Sequence, residues 1–491
     1  MPAKRSLTLA LALLLVAAIP ARAAAFPAIT VVDTIRPGSG SSQPMWSTGR
    51  LGDWLYFPAD DGSTGSELWR TNGTVTSRVA DINTAAGGSS YPQGFTALGD
   101  WLYFAADDGT NGAELWRTNG AITEDLPEIG VGVDSPNIAQ LTELNGWLYF
   151  GAQSALYGYQ LHRTNGTAIE MVDVILEGTR GNNPNYLTVL GDWLYFTADT
   201  GTLVPNVEVW RTNGTSTTRV TDINPQSDST GGGSDPSGLT AFGNFLYFSA
   251  NDGSTGRELW RTNGTVTTQA ADINNDGYSN PAEFTEFNGY LYFQAEDGTN
   301  GTELWRTNGS AVEQVRNITA GGGSSYPELL TVLGDYLYFR TSNLSFYELW
   351  RTDGTTAGTT VVEDIIPDAG QTLWGLTALG DYLYFVASGE TTYQIYRTNT
   401  AGLMEVGVVP GTASGVGCMC SRPLVALDGR LFIHMFSDEA GGEFAYLDEP
   451  TGGLPGTNRD GSVWSTALVL LAALTAVAGV GLRLRKGSIA K

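Results

Sequence analysis

Short aromatic and aliphatic runs return along this chain at nearly constant intervals. A Leu-Tyr-Phe triplet begins at Leu55, Leu102, Leu148, Leu194, Leu246, Leu291, Leu337 and Leu383, with a decayed ninth copy at Leu431, and the spacing is 45 to 52 residues. About ten to twelve residues after each comes a second apolar core. It reads ELWRTNG from Glu67, Glu114, Glu258 and Glu303, with variants from Gln160, Glu208, Glu348 and Gln394, and fades to EFAYL from Glu443. Neither WLYF nor ELW alternates polar with apolar, so these strands must bury both faces.

Each unit reads as four strands. A segment such as Leu239 to Phe242 turns at Gly-Asp or Gly-Asn into WLYFxA, which runs to a loop such as Asp60-Asp61-Gly62-Ser63-Thr64-Gly65. The chain returns as SELWRT and turns at Asn72-Gly73, where a type I′ hairpin is expected because both central residues then need φ > 0. A fourth strand ends at Val79-Ala80-Asp81-Ile82, with Val220 to Ile223 and Val362 to Ile365 as its counterparts. Repeats of this length with four strands predict an all-β fold, a single β-propeller of about nine blades, with eight blades and a divergent ninth element as the alternative. The ninth unit runs from Tyr446-Leu447 straight into a linker, without a fourth strand. Thr30 to Ile35 precedes the first unit and is expected to fill that place, closing the ring and hiding its edges.

The two ends give the expected address. Lys4 and Arg5 precede the apolar run Leu7 to Ile19 and a small-residue series, so residues 1–25 read as a signal peptide and 26–449 as the propeller. After a linker at 450–462, the uncharged stretch 463–482 is long enough for one transmembrane helix across roughly 30 Å of hydrocarbon. The basic tail 483–491 would stay cytoplasmic and leave the body outside. All seven cations of these ends (Lys4, Arg5, Arg22, Arg483, Arg485, Lys486 and Lys491) are unaccompanied by acids, so the body is more acidic than the net −25 of the chain. Such a surface repels nucleic acid and anionic lipid, and it suits divalent cations or basic ligands.

Candidate chemistry is sparse. Asp61, Asp108, Asp252 and Asp297 sit in hard-oxygen clusters before the ELW strands, and they are candidates either for capping turns or for binding calcium. Trp69, Trp116, Trp210, Trp260, Trp305 and Trp350 are expected to be structural, each lying flat against the next blade. His162 stands where other repeats place Trp and is expected in the packing; His434 is the other histidine. Cys418 and Cys420 are too close for an unstrained disulfide and too few for a metal site. No G-x-S-x-G, HExxH or phosphate-binding loop occurs, and no catalytic residue stands out. The eight N-x-[ST] sequons are Asn72, Asn165, Asn213, Asn263, Asn300, Asn308, Asn317 and Asn343, mostly the same hairpin turn.

Glu348 to Thr355, reading ELWRTDGT, with Ala357-Gly358-Thr359 and Val362-Glu363-Asp364-Ile365, resembles the ELW-x-x-DGT repeat of large bacterial extracellular proteins. Most copies here carry Asn for the Asp, and the resemblance spans roughly Ile29 to Leu447. It implies an extracellular repeat scaffold with no assigned catalytic residue. Ala59, Asp61, Thr64, Gly65 and Trp69, and their counterparts from Ala250 to Trp260, resemble the tryptophan-docking pattern of quinoprotein dehydrogenases, which is packing chemistry. Leu454, Pro455, Gly456 and Thr457, before the apolar helix and basic tail, resemble a sortase-type sorting signal, though Asn458 stands where Gly is usual. That resemblance implies cleavage after Thr457 by a sortase partner.

The leading expectation is a non-enzymatic surface module that binds an extracellular glycan, protein or envelope polymer, or serves as an envelope scaffold. The connectors Pro225 to Asp235 and Asn317 to Pro327 are candidate contacts. The rival is a secreted glycoside-active or quinoprotein-like enzyme that uses the channel. It predicts two carboxylates roughly 5 to 10 Å apart there. A channel lined by repeated Thr and Asn counts against it. No cofactor is expected, apart from the calcium considered above.

Overall fold

The computed structural model describes residues 29–448, except 33–34, 37–39, 45–46, 111, 130–134, 174, 176–180, 201–204, 226–232, 343–346, 364–372, 389–392, 401–403, 408–423 and 438–440. The chain divides into two units, Pro27–Glu449 and the two ends Met1–Phe26 with Pro450–Lys491. The second unit lies outside the described residues. With it go the expected signal peptide, Leu454, Pro455 and Thr457, the span 463–482 and the basic tail; Cys418 and Cys420 lie outside as well. Among the described residues no helix is long and apolar enough to cross a membrane.

Strands that must bury both faces are stacked here as blades. Among the described residues thirty-six strands form nine four-stranded antiparallel sheets in a propeller ring. Blades one to eight take consecutive strands over 49–80, 93–125, 139–171, 185–219, 237–271, 282–316, 328–363 and 373–407. Blade nine takes Val425–Leu427, Arg430–Ser437 and Gly441–Asp448, and its fourth strand is Ile29–Val31 from the other end of the chain. Ile29 pairs with Leu447, Thr30 with Tyr446 and Val31 with Ala445. The closing strand is shorter than expected, because Ile35 leaves the ladder to pack with Phe57 and Ala59 of blade one. Ile82 does the same between blades one and two, beside Tyr56, Leu68, Leu102 and Phe104.

The core therefore lies between blades. Leu246, Phe248 and Ala250 of blade five are fully buried against Tyr195 and Val209 of blade four. Each Leu or Phe so enclosed stabilises the ring by about 1.5–3 kcal/mol. The motif tryptophans border these layers, but against the preceding blade, not the next. Trp116 packs against the layer that holds Tyr56 and Leu68, Trp210 against that of Tyr149 and Leu161, and Trp260 against that of Tyr195 and Val209. Trp305 packs against the layer of Tyr247 and Leu259, Trp350 against that of Tyr292 and Leu304, and Trp69 against that of Ile35 and Phe57.

Two local expectations need correction. Asn72-Gly73 does not form a type I′ turn: Thr71 pairs with Thr76, so the loop holds four residues, and only Gly73 has positive φ, at 80°. Asn72 Oδ1 accepts the amides of Thr74 and Val75, both at 2.9 Å, while Thr71 Oγ1 accepts that of Gly73. An Asp serves equally, as Asp353 does. Type I′ geometry appears instead in inner hairpins, at Asn145-Gly146, Asn288-Gly289 and Asp428-Gly429, where both residues have positive φ. The fourth strands also end early, at Ala80, Arg219 and Glu363. Beyond the first two, Ile82 and Ile223 turn inward instead; residues 364–365 lie outside the described residues.

Because strands alternate in direction, inner hairpins and Asn-Gly loops share one face of the ring. The Asp-rich loops and the crossovers between blades share the other, where Asp107 N donates to Ser90 O of the crossover at 2.9 Å.

Candidate functional site

The charged residues of the repeat are the first candidates for chemistry, and most are occupied by the fold. Four of the crossovers are pinned by the buried Glu that opens the third strand. Glu67 accepts Ile82 N at 2.7 Å, Ser90 N at 3.1 Å and Ser90 Oγ at 2.7 Å. Glu258 repeats this with Ile273 N at 2.8 Å and Ser279 N and Oγ at 2.9 and 2.6 Å. Glu303 takes Ile318 N and Ser325 Oγ, and Glu208 takes Thr221 Oγ1 and Ser234 Oγ. Burial pushes the carboxyl pKa of all four up, against the pull of these hydrogen bonds. Shifted carboxylates often mark active sites, but here each one is an internal clamp.

Glu114 is the exception in degree. Pro136 stands where other crossovers place the clamp serine, and Glu114 Oε2 is buried without a partner. Burial, aided by Glu128, Asp108 and Asp125, raises its pKa to about 7, with only the Ile129 amide opposing. A carboxyl raised from 4.5 to about 7 contributes stability that is complete below pH 4.5 and lost as pH rises to 7. The loss is roughly 3 kcal/mol when complete. Thermal melts of wild type and Glu114→Gln across pH 4.5 to 8 should show the variant losing distinctly less stability with rising pH; parallel curves would refute the assignment.

A second device joins neighbours on the opposite face. The motif arginine of blades one to eight stacks on the aromatic that opens the second strand, 4.2 Å for Arg70 over Trp54 and 4.6 Å for Arg261 over Phe245. In blades one to seven it then reaches the equivalent loop of the next blade, as Arg351 Nη1 reaches Thr400 O at 2.6 Å. In most blades glycine fills that loop for space as well as φ, though blade eight carries Thr400 there. A Cβ on Gly264 would overlap Arg211 Nη1 and Tyr195 Oη. Blade nine exchanges the partners: Arg430 holds the aromatic's place and Tyr446 the arginine's, 4.6 Å apart. Arg430 Nη1 still donates to Asn72 O of blade one, so the same latch closes the ring.

The four calcium candidates hold turns. Asp61 Oδ1 accepts Ser63 N and Thr64 N at 2.8 and 2.9 Å, together with both hydroxyls. Partial burial opposes ionisation, but these bonds outweigh it and lower the Asp61 pKa to about 2. Asp252 caps Ser254 and Thr255, Asp297 caps Thr299 and Asn300, and Asp108 caps Thr110. Among the described residues no group of three His, Cys, Asp or Glu converges to hold a metal. His162 is 3% exposed and stacks on Phe150 at 5.9 Å, with burial lowering its pKa. The His434 side chain lies outside the described residues.

The hub and the crossover rim remain. Inner-strand threonines tie blade to blade: Thr96 Oγ1 donates to Leu141 O, Thr188 to Leu239 O and Thr377 to Leu424 O, at 3.1–3.3 Å. Just before the inner strands, Gln43, Tyr91, Asn137, Asn183, Asp235, Asn280 and Tyr326 adopt left-handed φ between 42° and 50°, and all seven are exposed. This ring was not singled out from the sequence. Its signal is a residue before a recurring proline in six of the seven positions; Asn137 precedes Ile138. Of the expected contact segments, Asn317–Pro327 contributes Tyr326; residues 226–232 of the other lie outside the described residues.

No protein-family model and no curated protein matches the sequence. Two of the solved structures that this chain resembles are the following. One, from a study of two prolyl endopeptidases, has a TM-score of 0.41 and 14% identity and covers 65% of this chain and 50% of that one. The other, a puromycin hydrolase mutant complexed with PGG, has a TM-score of 0.34 and 14% identity and covers 74% of this chain and 60% of that one. This chain thus spans only half to three fifths of those chains, and the likeness concerns the fold alone.

Proposed function

We propose that this protein is an exported, envelope-anchored β-propeller of the ELW-x-x-DGT kind that binds an extracellular polymer without catalysing a reaction. The observation that carries this reading is the exposed left-handed ring on the crossover face. Beneath it the repeated acids clamp crossovers, the arginines latch blades and the hub threonines tie strands. What differs from blade to blade is presented on a rim that the repeated residues hold still, which is how rigid scaffolds carry recognition. The acidic body disfavours polyanions as ligands.

Saturable binding of the full-length protein, purified in mild detergent, to envelope polymer from its own cells tests the reading. Retention is expected with and without chelator, and absence of saturable retention would leave only a structural role. For the anchor, intact mass spectrometry of envelope-released protein decides. A C-terminus at Thr457 marks sorting, and an intact tail marks a plain membrane anchor.

A further inference from the structure

The rim residues are not equivalent. Asn and Asp enter the left-handed region readily because their short polar side chains bond locally, and they or Gln occupy five of the seven positions. Tyrosine has no such compensation. Yet Tyr91 and Tyr326 stand there, at φ of 46° and 42°, with 55% and 40% of their surface exposed. Neither ring makes a hydrogen bond or ring contact among the described residues.

Both lie in an identical hexapeptide, Gly-Gly-Ser-Ser-Tyr-Pro at 87–92 and 322–327, leading into blades two and seven. The fold uses its other residues. Gly88 and Gly323 pack closely on Gly65 and Gly301. Ser89 and Ser324 Oγ accept Ser66 N and Thr302 N, both at 2.9 Å. Ser90 and Ser325 bind the clamps Glu67 and Glu303, both at 2.7 Å, and Pro92 and Pro327 are buried. The tyrosine amides are themselves held, at 3.2 Å, by Ser66 O and Thr302 O. The only group left unused is the aromatic ring, fixed on a rigid pedestal and flanked by glycine and serine that leave room above it.

We infer that Tyr91 and Tyr326 are twin stacking platforms for a neutral or amino-sugar polysaccharide, an assignment that rests on the binding role proposed above. A flat ring takes the C–H face of a pyranose, and the neighbouring serines and backbone offer partners to its hydroxyls. A polypeptide would instead require an apolar groove or a free strand edge, and the flanking residues, Gly87 to Ser89 and Gly321 to Ser324, supply neither. Two platforms in separate blades let one long chain engage both, multiplying weak contacts into useful avidity.

Affinity electrophoresis of the full-length protein in mild detergent tests this, with galactomannan, β-glucan, glycol chitosan or alginate in the gel. Retardation by at least one of the first three and none by alginate is expected. Tyr91→Asn and Tyr326→Asn, which install the residue other blades use, should each weaken retardation roughly tenfold or more. The double variant should migrate freely with an unchanged or higher melting temperature. Full retardation of the double variant, or none of the wild type by any neutral or amino polysaccharide, overturns the assignment. Envelope binding that survives in the double variant, or that protease treatment of the envelope abolishes, overturns it while leaving the general binding role intact; a wild type that fails to bind envelope removes both.

Discussion

A variant lacking residues 29–35 is expected to lose its cooperative thermal transition or to melt far below the intact chain. The deletion strips three paired residues from Gly441–Asp448 and leaves that strand as an open edge. It also empties the places of Val32 and Ile35 beside Phe57, Ala59 and Trp69. Burial and ladder bonds together amount to on the order of 5 kcal/mol. That approaches the whole stability of many domains. An edge so exposed also invites pairing between chains, so aggregation should accompany the loss. Removal of residues 26–28, just ahead of the ladder, leaves its pairs in place and is the control; an equal effect from both cuts would sink the assignment.

The second large effect is expected at a clamp. Glu258→Ala strips the partner from the buried amide of Ile273 and leaves the Ser279 amide and hydroxyl only their second acceptor, Arg257 O. One buried amide left unpaired and two bonds to a carboxylate lost should together cost about 2 to 4 kcal/mol. Glu258→Gln should cost much less, because burial already works against the charged form and an amide oxygen still accepts two of the bonds. Gln160 holds the same position in blade three, which shows that the site admits an amide. Denaturant melts of the two variants settle the point, and equal losses in both would mean that the charge, not the hydrogen bonds, does the holding.

The blade count and the closing strand were legible because they are one-dimensional facts. Strands buried on both faces leave uninterrupted apolar runs, and a missing ninth fourth strand shows as a unit that ends at Tyr446-Leu447. Contacts between blades were not legible. ELW reads as strand, and nothing in its spacing shows Glu67 reaching across to Ser90, 23 residues on, at a crossover. The type I′ expectation at Asn72-Gly73 failed for a related reason. Asn-Gly favours that turn locally, but the neighbouring Thr71 hydroxyl and Arg430 of the preceding blade, which crowds Gly73, shape a longer loop. The exchange of Arg430 and Tyr446 could have been read, since the repeat register puts each in the other's column. The rim tyrosines were hidden among turn-forming residues, where only the backbone angle separates an ordinary Asn from a misplaced ring.

The account stands on one closed ring whose conspicuous motifs hold it shut. Amide hydrogen exchange of the full-length protein, read by mass spectrometry after digestion, tests this most directly. A peptide holding Ile29–Val31 should be protected to the same degree as one holding Ala445–Leu447, its partner in the ninth blade. Exchange of the N-terminal peptide at the unprotected rate, with the blade-nine peptide still protected, would contradict closure by the chain's own first strand.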